Sequence, residues 1–254
     1  NTVSWIRGES SSKEETDRWR SNSLIVMNGN FDHVNQTDLF SSDKGEQEMV
    51  NVGWGKKETQ FHGSEGKAAA KKKLTDGGVT NDLILTDHNQ KPNISWRGDS
   101  SLFAVSYFCK LKNYFKVKIF DKTGRLQCTS EFLPGLEGVL SWRPTGLIAL
   151  SQRLPNKHVI CFMEKNGLKH GDFTLPPHLK VLELSWNCES TILSAVCVDE
   201  SANQPCVLMW TTANYHWYLK QRLNLCFDVV ALHWDETIGN LVHILLVDGT
   251  YLAH

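Results

Sequence analysis

The hydrophobic positions of this chain fall in short runs that alternate with polar residues at a period of two, and the runs recur. Four segments open the recurrences: 93–99, 140–146, 184–190 and 232–237. Each carries a tryptophan, and Trp96, Trp142, Trp186 and Trp234 are spaced by 46, 44 and 48 residues. After each comes a short polar turn and a second apolar run: Leu102 to Phe108, Leu147 to Leu150, Ile192 to Val198 and Leu241 to Val247. A third run follows in three repeats, Phe115 to Phe120, His158 to Met163 and Cys206 to Trp210, and Asp121 or Glu164 closes two of them.

Runs of this length, rich in Val, Ile, Phe and Trp and almost without helical periods, predict antiparallel strands. Glycine-bearing turns at 122–124 and 165–167 lead to outer strands such as Leu126 to Phe132. One four-stranded sheet cannot bury both faces alone, so successive sheets stack around a common axis. The period is close to the about 40–45 residues of a WD40 blade. The Trp-Asp pair of that repeat is replaced here by Phe120-Asp121, Met163-Glu164 and Trp210-Thr211. The expected fold is all-β: a WD40-like β-propeller of about five blades or part-blades from a larger ring, with residues 1–254 as a single partial domain.

Before Trp96 the period breaks. Thr2 to Trp5 reads as another first strand and Leu24 to Met27 as a second, yet Trp5 and Trp96 are 91 residues apart, twice the repeat. One blade therefore carries a long insertion over about 53–90, rich in Gly, Lys and Asp, as an exposed loop is. At the other end Thr250 to His254 stops part-way through a blade, which reads as a cut from something longer.

Composition narrows the function classes. With 254 residues, 41% of them hydrophobic, the chain has ample material for a core. Its 27 basic and 28 acidic residues leave a net charge of −1, so attraction to nucleic acid has to come from a local patch. No apolar run reaches the about 18 residues of a membrane span, and the first residues lack a signal-peptide pattern, so the chain reads as soluble and intracellular. For that reason the glycosylation sequons at Asn35 and Asn93 are discounted. Seven cysteines without a C-x-x-C pair read as buried reduced thiols.

No nucleophile elbow, P-loop or H-E-x-x-H motif is present, and the ten histidines are scattered, so neither enzyme, cofactor nor metal site is expected. Arg97-Gly98-Asp99 spells an integrin-binding tripeptide, but it sits where the other repeats turn from first to second strand. It reads as a turn in which Gly98 supplies a permissive backbone and Asp99 bonds back.

The candidate site lies in the insertion. Lys56, Lys57, Lys67, Lys71, Lys72 and Lys73 cluster there among Trp54, Phe61 and His62. Lysines neutralise phosphates and aromatic faces stack on unpaired bases, the combination for RNA contact. The same stretch also suits protein contact, or a merely solvated loop diluted by Glu58 and Glu65.

The stretch from Gly53 to Lys67 resembles a signature of the Elongator complex protein 1 family, also called IκB kinase complex-associated protein. Ser95 to Asp99, Glu164 to Leu168 with His170-Gly171, and Asn214 to Gln221 agree with that family in the same order. The tract Ala68 to Lys73 lies where family loops vary. The resemblance implies an interior part of the first of two propellers in a scaffold subunit. That subunit would serve an assembly modifying wobble uridines of transfer RNA, the chemistry belonging to another subunit. It implies as partners the other Elongator subunits, including the catalytic one, and transfer RNA. It also implies no membrane, dimerisation only through a helical region absent here, and residence in the cytoplasm and the nucleus. A peptide- or kinase-binding hub is the competing role.

Overall fold

The computed structural model describes residues 2–7, 22–40, 43, 91–109 and 112–254. Among them every regular element is a strand, and the strands form five antiparallel sheets in chain order. Sheet one holds β1 (Thr2–Arg7), β2 (Asn22–Met27) and β3 (His33–Asp38). Sheet two holds β4 (Asn93–Trp96), β5 (Leu102–Cys109), β6 (Tyr114–Asp121) and β7 (Leu126–Thr129). Sheet three holds β8 (Leu136–Trp142), β9 (Ile148–Leu154), β10 (Lys157–Met163) and β11 (Lys169–Leu175). Sheet four holds β12 (Leu179–Trp186), β13 (Ile192–Asp199), β14 (Gln204–Ala213) and β15 (His216–Asn224). Sheet five holds β16 (Val229–Trp234), β17 (Val242–Leu246) and β18 (Tyr251–Ala253).

Four apolar cores lie in the four seams between consecutive sheets. Leu24 and Val26 pack with Phe103, Val105 and Phe120, and Val117 and Ile119 with Trp142, Leu150 and Val159. Ile160 and Phe162 pack with Trp186, Leu193 and Leu208, and Val207 and Met209 with Trp234, Val242 and Ile244. Strand alternation explains the arrangement, because residues two apart share a face and each central sheet therefore feeds two seams. Trp142, Trp186 and Trp234 are buried at the ends of β8, β12 and β16, and Trp96 is half-buried at the end of β4. The Trp142 indole N–H donates to Gly146 O (3.0 Å), and Arg143 stacks on Trp186 at 5.0 Å.

The turns after the tryptophans are chained to one another across the seams. Gly98 N donates to Pro144 O (3.2 Å), Arg143 Nε to Ser190 O (2.8 Å), and Asn187 Nδ2 to Gly239 O (2.6 Å). A Cβ on Gly98 would stand 2.8 Å from Pro144 Cβ, so the glycine is required by close approach. Asp99 Oδ1 accepts from Ser101 N (2.9 Å) and from its hydroxyl (2.6 Å), the bond back that the turn reading expects. The same Asp-x-Ser/Thr device recurs at Asp121, Asp199, Asp235 and Asp248.

Three expectations are corrected. First, β3 stands to the Gly124 turn as β7 stands to the Gly167 turn. Thr37 Oγ1 donates to Gly124 O (3.0 Å), while a Cβ on Gly167 would meet Thr129 O at 2.8 Å. Since β7 is the fourth strand of its sheet, β3 holds the fourth place too, and β1 at Thr2–Arg7 holds the second place rather than the first. Second, the run after Trp142 looks short only because Ser151, Gln152 and Arg153 are polar, yet they complete β9. Third, the cysteines are all free, but Cys188 and Cys226 are exposed and Cys128 half-buried.

Candidate functional site

The residues singled out in the insertion, Trp54, Lys56, Lys57, Phe61, His62, Lys67, Lys71, Lys72 and Lys73, lie outside the described residues, as does the span 53–90. What the fold positions is the place where that segment leaves and rejoins the sheets. On the leaving side Leu39 O accepts from Lys118 Nζ (2.9 Å). Asp43 pairs with Lys116, with Lys112 (3.6 Å) and with Lys118 (3.8 Å). On the returning side Asn93 Nδ2 donates to Gly138 O (3.0 Å), tying the first residue of β4 to β8.

Lys116 and Lys118 are buried, because their face of β6 turns toward the chain leaving β3. Burial pushes the Asp43 carboxyl up, but the Lys116 hydrogen bond and the charges of Lys116, Lys118 and Lys112 outweigh it and hold the group below its ordinary range. Burial pulls Lys118 down against the opposing pull of Asp43. The alternation Phe115-Lys116-Val117-Lys118-Ile119 reads from sequence as a strand with a wet face. That pattern holds no signal that the wet face is roofed by residues some 75 positions earlier, the separation of Lys116 from Asp43 being 73.

A second polar cluster joins β8, β9 and β10. His158 Nε2 lies 3.0 Å from Glu137 Oε2 and 3.1 Å from Ser151 Oγ, and Ser151 also bonds Glu137. Arg153 donates to Glu137 (2.8 Å) and, across the seam, to Pro177 O (3.0 Å) and Leu179 O (2.8 Å). Burial raises the Glu137 carboxyl, but His158, Ser151 and Arg153 together bring it down to about 2. A serine, a histidine and an acid in contact invite comparison with a hydrolase relay. In such a relay the acid holds Nδ1 while Nε2 takes the serine proton. Here acid and serine share Nε2, and Nδ1 is buried without a partner. The geometry suits a clamp between sheets three and four.

Ser95 Oγ accepts from Trp142 N (2.8 Å), and the 164–168 turn receives Glu131 N at Gly167 O (2.9 Å). Those two signature stretches are therefore seam contacts. The third, Asn214 to Gln221, forms the β14–β15 hairpin and exposes Tyr215, Tyr218 and Leu219.

Sheets stacked through apolar seams, with Trp-ended inner strands and chained turns, define a β-propeller. The family model described as ELP1 first N-terminal beta-propeller matches residues 15–237, and the chain belongs to the Elongator complex protein 1 family. It is 49% identical over 214 residues to the putative elongator complex protein 1 of Xenopus laevis, covering 80% of this chain and 18% of that protein. It is 40% identical over 244 residues to the Elongator complex protein 1 of Oryctolagus cuniculus, covering 91% and 18%. The chain thus spans about a fifth of the length of these relatives. Among solved structures, TolB from Acinetobacter baumannii aligns with a TM-score of 0.47 at 12% identity, over 65% of this chain and 40% of that one.

Proposed function

We propose that this chain is a scaffold module of the Elongator assembly, supporting wobble-uridine modification of transfer RNA without catalysing it. In this reading residues 1–254 form part of one propeller domain acting in the cytoplasm and the nucleus, in contact with other Elongator subunits including the catalytic one. The observation that carries the reading is the family match over residues 15–237. Consistent with it, the polar clusters of the described residues are taken up in holding sheets together, as Glu137 and Arg153 do. The insertion, with Lys56, Lys57 and Lys67, is proposed as the contact with the catalytic subunit or with transfer RNA.

Charge reversal at Lys56, Lys57 and Lys67 in the full-length protein tests the contact. Loss of subunit retention, or a weaker and less salt-dependent hold on transfer RNA, is expected. Unchanged assembly together with unchanged RNA binding across a salt series would overturn the role given to the insertion. Stoichiometric binding of a kinase with no retention of Elongator subunits would replace the scaffold reading with the hub.

A further inference from the structure

The β14–β15 hairpin has features the seam-holding turns lack. Its two tip residues, Asn214 and Tyr215, both take positive φ, 49° and 65°. A two-residue turn of this kind favours glycine at its second position, because a side chain there crowds the backbone. Tyr215 occupies that position and is fully exposed, at 104% relative exposure. A bulky residue is thus held in a disfavoured conformation with its ring turned to solvent, the pattern of strain kept for an external contact.

The outer edge points the same way. β15 ends its sheet, so among the described residues one side of its backbone has no strand beside it. The corresponding strand of sheet three, β11, carries Asp172, held by Lys157 (2.8 Å) and Lys169 (2.7 Å), a charged guard on an edge. β15 carries basic charge only, at Lys220 and Arg222, and Tyr218 and Leu219 stand exposed on it. From Ser201 to Phe227 there is no acidic residue, while the stretch holds Lys220 and Arg222. Arg222 is committed to Asp199 at 2.7 Å. Lys220 lies over the Tyr218 ring at 5.7 Å, on the bulge of β15 where the register with Met209 and Trp210 shifts.

We infer that the Tyr215 to Lys220 edge of this hairpin docks an extended peptide segment bearing carboxylate side chains, laid beside β15 as an added strand. Main-chain hydrogen bonds along the open edge supply affinity, Tyr215, Tyr218 and Leu219 cover its apolar side chains, and Lys220 selects the carboxylate. A second copy of the hairpin is disfavoured as occupant, since it would set one acid-free, basic stretch against another. The inference rests on the scaffold reading, with the segment supplied by another subunit.

The test compares full-length protein alone with the same protein in the reconstituted Elongator assembly. Those amides of residues 216–221 that point away from β14 are expected to exchange at least tenfold more slowly in the assembly. A carbodiimide is expected to join Lys220 Nζ to a carboxylate of another subunit, and Lys220→Gln removes that cross-link. Tyr215→Gly, which relieves the turn, is expected to raise the melting temperature of the free protein yet cut the exchange protection by about tenfold. An assembly that forms with unprotected β15 amides overturns the inference and leaves the scaffold reading standing. Protection produced by transfer RNA alone also overturns it. Failure of the assembly to form counts against the scaffold reading itself.

Discussion

The Trp234 indole N–H donates to Ser194 Oγ at 3.0 Å, from the inner strand of sheet five to the second strand of sheet four. Ser194 in turn donates to Ser185 O at 3.0 Å, so one hydroxyl links the seam to its own sheet. Trp234→Phe keeps most of the ring in the core but leaves the serine oxygen without its donor, and is expected to lower stability by about 1–2 kcal/mol. Trp234→Ala is expected to cost about 3–5 kcal/mol by opening a cavity. Urea unfolding measures both, and a Trp234→Phe variant as stable as the parent would deny the hydrogen bond a role.

Gly98 has no room for a side chain beside Pro144. Gly98→Ala is therefore expected to destabilise by about 1–3 kcal/mol, as overpacking does. Pro144→Ala in the same chain should recover none of the loss, because alanine keeps the Cβ, Cα and carbonyl oxygen that the new methyl group meets. A Gly98→Ala variant as stable as the parent would mean that the neighbouring turns do not approach so closely in solution.

Glu137 titrates at about 2 in the folded chain, against an ordinary value of 4.5. A carboxyl depressed in this way contributes stability that is fully present above about 4.5 and is lost as pH falls toward about 2. The contribution is on the order of 3 kcal/mol at neutral pH. Acid unfolding of Glu137→Gln should begin from lower stability and lack that part of the slope between those two values. A variant with the parent's slope would place the acid sensitivity elsewhere.

Asp43 supplies the carboxylate for the buried ammonium of Lys116. Asp43→Asn is expected to cost about 3 kcal/mol, because an uncompensated buried charge remains. Lys116→Met beside it should restore part of the loss, since it removes one of the two buried ammonium groups that had faced Asp43. A double-mutant cycle reads the coupling, and simple additivity would refute the pairing.

Seven of the eighteen described strands could be read from the chain to within two residues at each end, while β3, β11, β15 and β18 carried no bounds of their own. The apolar run from Leu102 became β5 at Leu102–Cys109, and that from Ile192 became β13 at Ile192–Asp199. The misses share a cause. The outer run from Leu126 overran, because past Thr129 the backbone leaves the ladder to meet the Gly167 turn of the next sheet. β9 was cut short at Leu150, because Gln152 is buried but satisfied by Pro134 O, a partner 18 residues away. The Glu137 clamp joins residues spread over three strands and gave no local motif, and Asp-x-Ser/Thr, although visible, is too short to stand out.

The tryptophan repeat by itself determined the class of fold and its seams, because a period of strands and turns is local chemistry and local chemistry is written in order; the family came from other stretches, Gly53 to Lys67 first among them. Which polar residues are buried, which strand opens the first sheet, and which edge stays free were decided only by the tertiary structure. Each depends on residues many positions apart meeting across a seam: Asp43 with Lys116, Thr37 with Gly124, Arg153 with Leu179. Charge, burial and strand order become definite only when one sheet is laid against the next.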